Sequence, residues 1–309
     1  MKKSLIALAV LGLSGAAMAQ SSVTLYGVAD AGIGRIKNAG TNDNGKTQFT
    51  SASTMNNGTS RLGVRGVEDL GGGLKAGFQF ETGIDLDEGG TSNGGNNGGF
   101  WGRQANVWLG GNWGTLKLGR QLTPSHLVTA TYELTGTANY SVLANTYGYA
   151  GIDARASSAF AYVTPNFGGF SAAAAFVSKN DSGLTRNAWD IGLMYNNGPI
   201  AAGLSANKVT DKTNFQAGAK YSFSNFALAA SYNHVGNTRR GVGLGVGANV
   251  GTFGLVLDVT RDTRNAAGKK YTNALLEAKY ALSKRTFFYG AFLRFDGENN
   301  YGVGVRHNF

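Results

Sequence analysis

The sequence predicts an all-β fold in the form of a transmembrane antiparallel β-barrel of 16 strands. Apolar and polar side chains alternate with the period of two that is typical of a strand with two different faces. Near the C-terminus, for example, Tyr301, Val303 and Val305 alternate with glycine or arginine. About sixteen segments of 9–14 residues follow this pattern. Their length is close to what a tilted strand needs to cross a bilayer.

The alternation alone fits two environments. In a soluble sandwich the apolar face of each strand points into a core, whereas in a membrane barrel it meets lipid and the polar face lines the interior. The even strand count, the alternation of tight turns with longer polar loops, and the position of the aromatic residues favour the barrel. Aromatic residues gather towards strand ends, as in an interfacial girdle. They are Tyr26, Phe100, Tyr162, Phe167, Phe176, Tyr195, Tyr221, Phe223, Tyr280 and Phe309.

Composition narrows the class of protein further. Of 309 residues, 48 are glycine, 3 are proline and none is cysteine, and charged residues make up only 15%. The composition excludes a bundle of membrane helices, each of which needs about 20 apolar residues. The absence of cysteine excludes disulfides and thiolate metal sites. The 17 Phe, 13 Tyr and 4 Trp residues argue against wholesale disorder.

The first residues have the pattern of a cleaved secretory signal. A pair of lysines precedes an apolar centre and an A-x-A cleavage site that ends at Ala19. We therefore expect residues 1–19 to be removed and residues 20–309 to form the barrel domain of an exported protein. Cleavage removes two lysines and no acidic residue, so the formal net charge falls from +10 to +8.

Turn residues separate the predicted strands. Residues 69–73, 111–114, 166–169 and 196–199 combine glycine with asparagine or aspartate, which tolerate the positive φ of tight turns. The strands are predicted to begin near Val23, Arg61, Leu74, Arg103, Thr115, Arg155, Phe170, Asn187, Ile200, Thr213, Phe226, Val242, Thr252, Tyr271, Thr286 and Tyr301.

The longest interruption of the alternation covers residues 121–153, which are rich in Thr, Tyr, Asn and Ala. A connection of this length is uncommon in a compact domain unless it has a function. Its moderate apolarity predicts that it packs against the inner wall of the barrel and narrows the lumen. Glycine at inward strand positions leaves room for an aqueous lumen or for this packed loop, and the sequence does not decide between the two.

Several segments carry recognisable motifs. They are SSVTLYGVADAG at 21–32, RLGVRGVEDLGGGL at 61–74, FQFETG at 78–83, RQA at 103–105 and LGRQ at 118–121. Together they resemble the general porins of β-proteobacteria, in the Gram-negative porin family. The final alternating strand, which ends in Phe309, resembles the outer-membrane assembly signal. The resemblance extends over essentially the whole chain.

This resemblance implies a homotrimer of sixteen-stranded barrels in the outer membrane of a Gram-negative bacterium. It also implies contact with lipopolysaccharide and with the machinery that recognises the C-terminal strand. The third extracellular loop of the family folds inward as a constriction, which assigns that role to residues 121–153. Wall arginines of the family face carboxylates on or near the loop. The matching candidates are Arg61, Arg65, Arg103, Arg120 and Arg155 on the basic side, and Glu81 and Glu133 on the acidic side.

The alternation also assigns charged side chains to the lumen, because the apolar positions of each strand are expected to face lipid. For Arg103 and Arg120 the alternation predicts an outward side chain. An arginine that faces lipid at mid-membrane destabilises a barrel by about 2–4 kcal/mol. Either both arginines lie outside the hydrocarbon belt, or bulges near Gly102 and Gly119 turn their side chains inward, and we favour the bulges. The predicted lumen residues are Arg61, Arg65, Lys75, Lys117, Arg155, Lys220, Lys279, Arg294 and Arg306, together with Asp30, Glu81, Asp190, Asp258 and Glu277.

The predicted function is a water-filled channel for passive diffusion of small hydrophilic solutes and ions. Basic groups outnumber acidic groups in the predicted lumen, and rings of arginine and lysine favour anions in a pore. We therefore expect an anion preference. The alternative is an outer-membrane barrel with a mainly structural or adhesive role, which would fail to support liposome swelling with small sugars.

The sequence argues against other chemistry. Ser125 and His126 are adjacent, but adjacency does not create the geometry of a nucleophile and its base. With three histidines and no cysteine, we expect no transition-metal site and no enzyme activity. We also expect no cofactor, because the acidic residues Asp85, Asp87 and Glu88 lack the ligand spacing of a Ca²⁺ loop. The basic residues are scattered singly through strands, so no nucleic-acid partner is expected.

Overall fold

The described residues form a closed antiparallel β-barrel of 16 strands, as the alternation predicted. The computed structural model describes residues 22–37, 45–91, 99–182, 184, 186–265 and 268–309, so the expected signal at 1–19 lies outside the described residues. One further short strand joins the same sheet. The strands are β1 (Ser22–Arg35), β2 (Thr47–Ser51), β3 (Arg61–Gly71), β4 (Leu74–Gly83), β5 (Gln104–Gly111), β6 (Gly114–Leu122), β7 (Arg155–Val163), β8 (Phe170–Val177), β9 (Ala188–Asn197), β10 (Ile200–Lys208), β11 (Asn214–Phe223), β12 (Phe226–Val235), β13 (Arg239–Val250), β14 (Phe253–Asn265), β15 (Tyr271–Ala281), β16 (Thr286–Phe295) and β17 (Glu298–Asn308).

The predicted strand starts agree closely with these bounds. Each of the sixteen lies within three residues of an observed start. The alternation did not reveal β2, because its five residues are too few to show a period. This strand pairs with the second half of β1.

The barrel closes between its first and last strands. β1 pairs with β3 through its first half and with β17 through its second half, where Asp30 lies opposite Arg306. Phe309 extends this closure, since the N–H of Phe309 donates to the carbonyl of Gly27 and the N–H of Gly27 donates to the carbonyl of Phe309, each at 3.1 Å. A Cβ on Gly27 would lie 2.2 Å from the Phe309 ring. The terminal aromatic residue is therefore part of the barrel seam.

The outer face of the barrel is apolar. Leu204, Leu244 and Val303 are 55%, 62% and 63% exposed, which is the arrangement that a lipid-facing surface requires. None of the helices among the described residues is long and apolar enough to cross a membrane.

The connection between β6 and β7, residues 123–154, lies inside the barrel and is called the inner loop below. It contains α1 (Pro124–Tyr132) and α2 (Val142–Tyr147). A third short helix, α3 (Lys179–Ser182), follows β8. Thr123 and Ser141 cap the N-termini of α1 and α2, since their side chains accept from backbone N–H groups of the first turn. α1 packs on β8–β11 and α2 packs on β12–β16.

The apolar core lies between the inner loop and the wall. Val128 and Tyr132 of α1 are 0% and 1% exposed. Inward-facing glycines make room for them, because a Cβ on Gly192 or Gly203 would lie within 3.0 Å of Val128, and one on Gly218 would lie 2.5 Å from the Tyr132 ring. At these positions glycine serves the packed loop rather than an open lumen.

The same packing explains why the prediction for Arg294 was wrong. Leu293 and Leu275 are fully buried and pack in the cluster that contains Tyr140 of the inner loop. Since Arg294 follows Leu293 and lies opposite Ala274, its side chain is on the outer face rather than in the lumen. The expectation that apolar residues face lipid fails where the inner loop covers the wall from inside.

Candidate functional site

Three guanidinium groups lie around the single carboxylate of Glu81, and we call Arg61, Arg103 and Arg155 the arginine cluster. Arg103 Nε lies 2.7 Å from Glu81 Oε1 and Arg61 Nε lies 3.7 Å from Oε2. Arg155 is within electrostatic range of Glu81 and of both other arginines. Tyr26 donates its hydroxyl to Glu81 Oε2 at 3.0 Å. One negative charge therefore faces three positive charges.

Neighbouring strands position this cluster. Glu81 on β4 lies opposite Gly63 on β3 and Gln104 on β5. Gly63 leaves space for the ring of Tyr26, because a Cβ there would lie 2.3 Å from it. Arg103 lies in a bend before β5 begins, and its N–H donates to the carbonyl of Glu81 at 3.1 Å. Because Arg103 precedes β5, the inward–outward alternation of that strand does not fix its side chain, which can turn towards Glu81.

Arg120 lies at an irregularity between β6 and β7. The register of the two strands shifts between Gly119 and Gln121, and Gly119 has a φ of +114°. The Arg120 guanidinium donates from Nε to the carbonyl of Gly102 at 2.5 Å and from Nη1 to the hydroxyl of Ser157 at 2.8 Å. The irregularity occurs where a bulge was the favoured prediction, and Arg120 links the bend before β5 to β7.

Further basic residues continue down the same wall, towards the tight turns. Arg65 lies opposite Gln79, and Lys117 lies opposite Trp108. Lys75 lies opposite Gly110 and is exposed. Within the described ranges, no ion pair involves any of these three basic side chains. The wall formed by β3–β7, which we call the basic wall, therefore carries basic side chains along its length, with the acidic residue Asp69 opposite Lys75 at its turn end.

The remaining predicted basic residues have local partners or lie elsewhere on the wall. Lys279 Nζ lies 3.0 Å from Glu277 Oε1 and donates to the carbonyl of Thr135 at 3.2 Å. Arg306 donates to Asn57 Oδ1 at 2.7 Å. Lys220 lies on β11 at the far side of the sheet from β3–β7.

Glu133 does not bond to any arginine among the described residues. Glu133 is 3% exposed, and its carboxylate accepts from the N–H groups of Thr135 and Thr137 at 2.9 and 2.7 Å. It also accepts from the hydroxyl of Ser141 at 2.8 Å. These contacts hold the turn between α1 and α2, so Glu133 organises the inner loop instead of facing the arginine cluster.

Asp190 on β9 anchors the start of α1. Its Oδ2 accepts from the N–H of Ser125 at 2.8 Å and its Oδ1 accepts from the Ser125 hydroxyl at 2.6 Å. Gln216 donates to the Ser125 carbonyl at 2.7 Å and accepts from Thr129 at 3.0 Å. We call Asp190, Ser125 and Gln216 the latch. The sequence placed Asp190 in the lumen, but nothing in the strand pattern indicated its partner on the loop.

Ser125 and His126 do not form a catalytic pair. The Ser125 hydroxyl bonds to Asp190 and Ser205, whereas the His126 ring packs edge-on against Tyr149 at 4.5 Å. Burial, with the nearby charges of Arg155 and Arg103, lowers the pKa of His126 to about 4. The imidazole is therefore neutral near pH 7, and its protonation at acidic pH would add a positive charge beside the cluster.

Comparison with known proteins gives a consistent result. A family model described as Gram-negative porin matches residues 4–300. The outer membrane porin protein 32 of Delftia acidovorans is 38% identical over 99% of this chain and 93% of its own length. An outer membrane porin protein of Bordetella pertussis is 29% identical over 100% of both chains. Among solved structures, an anion-selective porin from Comamonas acidovorans has a TM-score of 0.75 and 29% identity, covering 94% of this chain and 100% of that one.

Proposed function

Since the chain belongs to the Gram-negative porin family, we propose that it is an anion-preferring diffusion channel whose permeation path follows the basic wall. Its location is the outer membrane of a Gram-negative bacterium, where it lets small hydrophilic solutes and ions pass through a water-filled barrel. The observation that carries the proposal is that the basic side chains and the inner loop lie on opposite sides of the lumen. The arginine cluster, Arg65, Lys75 and Lys117 lie on or beside β3–β7, and the helices of the inner loop pack on β8–β16.

The physical basis of the preference is a field that acidic groups do not cancel. Glu81 is shared between Arg103 and Arg61, while Asp30 accepts from Tyr289, Asn56 and the Gly58 N–H. Positive side chains lining a narrow aqueous path between low-dielectric walls raise the local concentration of anions. The anion selectivity named for the Comamonas acidovorans porin supports the same direction.

We also propose that residues 123–154 form the constriction and that the arginine cluster faces it. In this proposal Glu81 is the acidic member of the narrow zone, and Glu133 has a structural role. Arg65, Lys75 and Lys117 extend the anion path towards the tight turns. The inner loop supports this assignment because it fills the side of the lumen opposite the basic wall.

We propose three kinds of partner: further copies of the chain, the assembly machinery and lipopolysaccharide. A homotrimer is supported by small outward residues on neighbouring strands, such as Ala202, Ala217, Ala219 and Ala230, which line a shallow apolar surface. Recognition by the assembly machinery is supported by the place of Phe309 in the barrel seam. Lipopolysaccharide is the expected lipid partner of the outer leaflet. We propose no catalytic role and no cofactor, and porin relatives support that proposal.

A salt gradient tests the anion preference. In a planar bilayer with a KCl gradient, the reversal potential of the native channel is expected to have the sign of chloride selectivity. Arg61→Glu is expected to shift it towards cation selectivity, because the charge next to Glu81 changes by two units.

Arg294→Glu is the matched control, since it makes the same change of charge on the outer face. It is expected to leave the reversal potential unchanged. A native channel with the sign of cation selectivity contradicts the proposal, and so does a shift in Arg294→Glu as large as that in Arg61→Glu.

A further inference from the structure

The basic wall contains a recess nearer the tight turns than the arginine cluster. Its volume is about 500 Å³, within the range of roughly 300–1,000 Å³ that is usual for small-molecule sites. Arg65 lies four residues along β3 from Arg61, or about 13 Å in an extended strand. The recess adjoins the cluster around Glu81 through Tyr26, whose hydroxyl donates to Glu81 and accepts from Gln79, but none of the three arginines of the cluster lines it. Its lining includes Thr24, Arg65, Gln79, Trp108 and Lys117.

Trp108 is the unusual member of this lining. It alternates with Val107 and Leu109, which are exposed on the outer face, so its indole lies on the lumen side. A Cβ on Gly77 would lie 2.4 Å from the indole, which shows that the ring rests on the backbone of β4. No other ring packs against Trp108 among the residues that the structure describes.

Two positive charges line the recess beside this indole, and neither forms an ion pair in the part of the chain that the structure describes. Lys117 lies directly opposite Trp108, and Arg65 Cζ lies 5.3 Å from the centre of the Tyr26 ring. Gln79 donates from Nε2 to the Tyr26 hydroxyl at 2.7 Å, which fixes its amide. Two cations that form no ion pair among the described residues therefore share one recess with an aromatic surface.

We propose that this recess binds aromatic carboxylates on their way through the pore. The carboxylate is held by Arg65 and Lys117 through charge-assisted hydrogen bonds, and the ring packs on Trp108. A small inorganic anion uses only the two cations, whereas an aromatic carboxylate uses all three groups. The proposal rests on the proposed function in one respect, since the ligand reaches the recess through the lumen.

Block of the chloride current by two matched probes tests the proposal. Benzoate and cyclohexanecarboxylate carry the same charge on rings of six carbons, and only benzoate is aromatic. In the native channel benzoate is expected to reach half-block at a concentration roughly two- to tenfold lower, which is what an aromatic contact contributes. Lys117→Gln is expected to raise both half-block concentrations.

Two tryptophan variants provide the discriminating comparison. Trp108→Leu is expected to abolish the preference for benzoate, and Trp108→Phe is expected to retain it. Trp113→Leu is the matched control, since Trp113 lies in a tight turn and stacks on Tyr162. Equal half-block by the two probes in the native channel overturns the proposal, as does a preference that survives in Trp108→Leu. The reversal potential in a KCl gradient, measured on the same channels, reports separately on the proposed anion preference.

Discussion

Replacement of Gly218 by valine is expected to lower the single-channel conductance, because it pushes the inner loop off the wall and into the remaining lumen. A Cβ at this position would lie 2.5 Å from the Tyr132 ring, and that ring is 1% exposed. Adding methyl groups to a packed interior destabilises it by about 1–3 kcal/mol. The inner loop is joined to β6 and β7 at its two ends, so it moves towards the basic wall rather than out of the barrel.

A second glycine on the same inner surface is the control. A Cβ at Gly247 would have Leu134 Cδ2 as its nearest neighbour, at 3.8 Å, so Gly247→Val is expected to leave the conductance close to that of the native channel. Tyr132→Ala in the Gly218→Val background removes the clash and is expected to restore it. A Gly218→Val channel of native conductance would show that this contact does not set the width of the pore.

The barrel itself could be predicted from the sequence because its signals are local. Alternation sets which face of a strand is apolar, and glycine-rich turns set where a strand ends. These signals were sufficient to place the starts of all sixteen predicted strands within three residues. They also located the irregularity beside Gly119, where a regular strand would have placed an arginine in lipid.

The contents of the lumen depend on contacts between distant residues, which alternation does not report. Arg294 was misplaced because Leu293 is buried against the inner loop. The bonds of Glu133 to Thr135, Thr137 and Ser141 depend on the fold of the loop itself. The alternation does place Trp108 inward, between Val107 and Leu109. A single inward aromatic residue does not indicate a binding site, however, until its neighbours on β3 and β6 are known.

The inward glycines show most clearly the difference between local sequence signals and contacts between distant residues. The sequence left open whether inward glycines widen an aqueous lumen or accommodate the loop. Gly192 and Gly203 lie against Val128, and Gly243 lies against Leu143. Glycines on the wall from β9 to β13 therefore form a complementary surface for the inner loop. Because the loop is held on that side, the basic wall is left open to solutes.

Asp190→Ala is expected to weaken the docking of α1 on the wall more than any other single substitution in the latch. The substitution removes the two carboxylate oxygens that accept from the Ser125 N–H and hydroxyl at 2.8 and 2.6 Å. A hydrogen bond to a charged group contributes about 1.5–3 kcal/mol, so docking of α1 is weakened by on the order of 3 kcal/mol. Ser125→Ala removes the hydroxyl contacts to Asp190, Ser205 and Asn207 but keeps the bond from the backbone N–H to Asp190, so it is expected to have a smaller effect.

Thiol labelling measures this loosening directly, because the chain has no cysteine of its own. Val128 is 0% exposed, so Val128→Cys is expected to react slowly with a water-soluble maleimide in an otherwise native channel. Adding Asp190→Ala is expected to raise the rate at least tenfold, since about 1.4 kcal/mol corresponds to a factor of ten, and to increase the noise of the open current. Asp211→Ala is the control, because it removes an exposed carboxylate whose ion pair with Arg186 contributes little. Equal labelling rates in the Asp190→Ala and Asp211→Ala backgrounds would show that α1 stays docked without the latch.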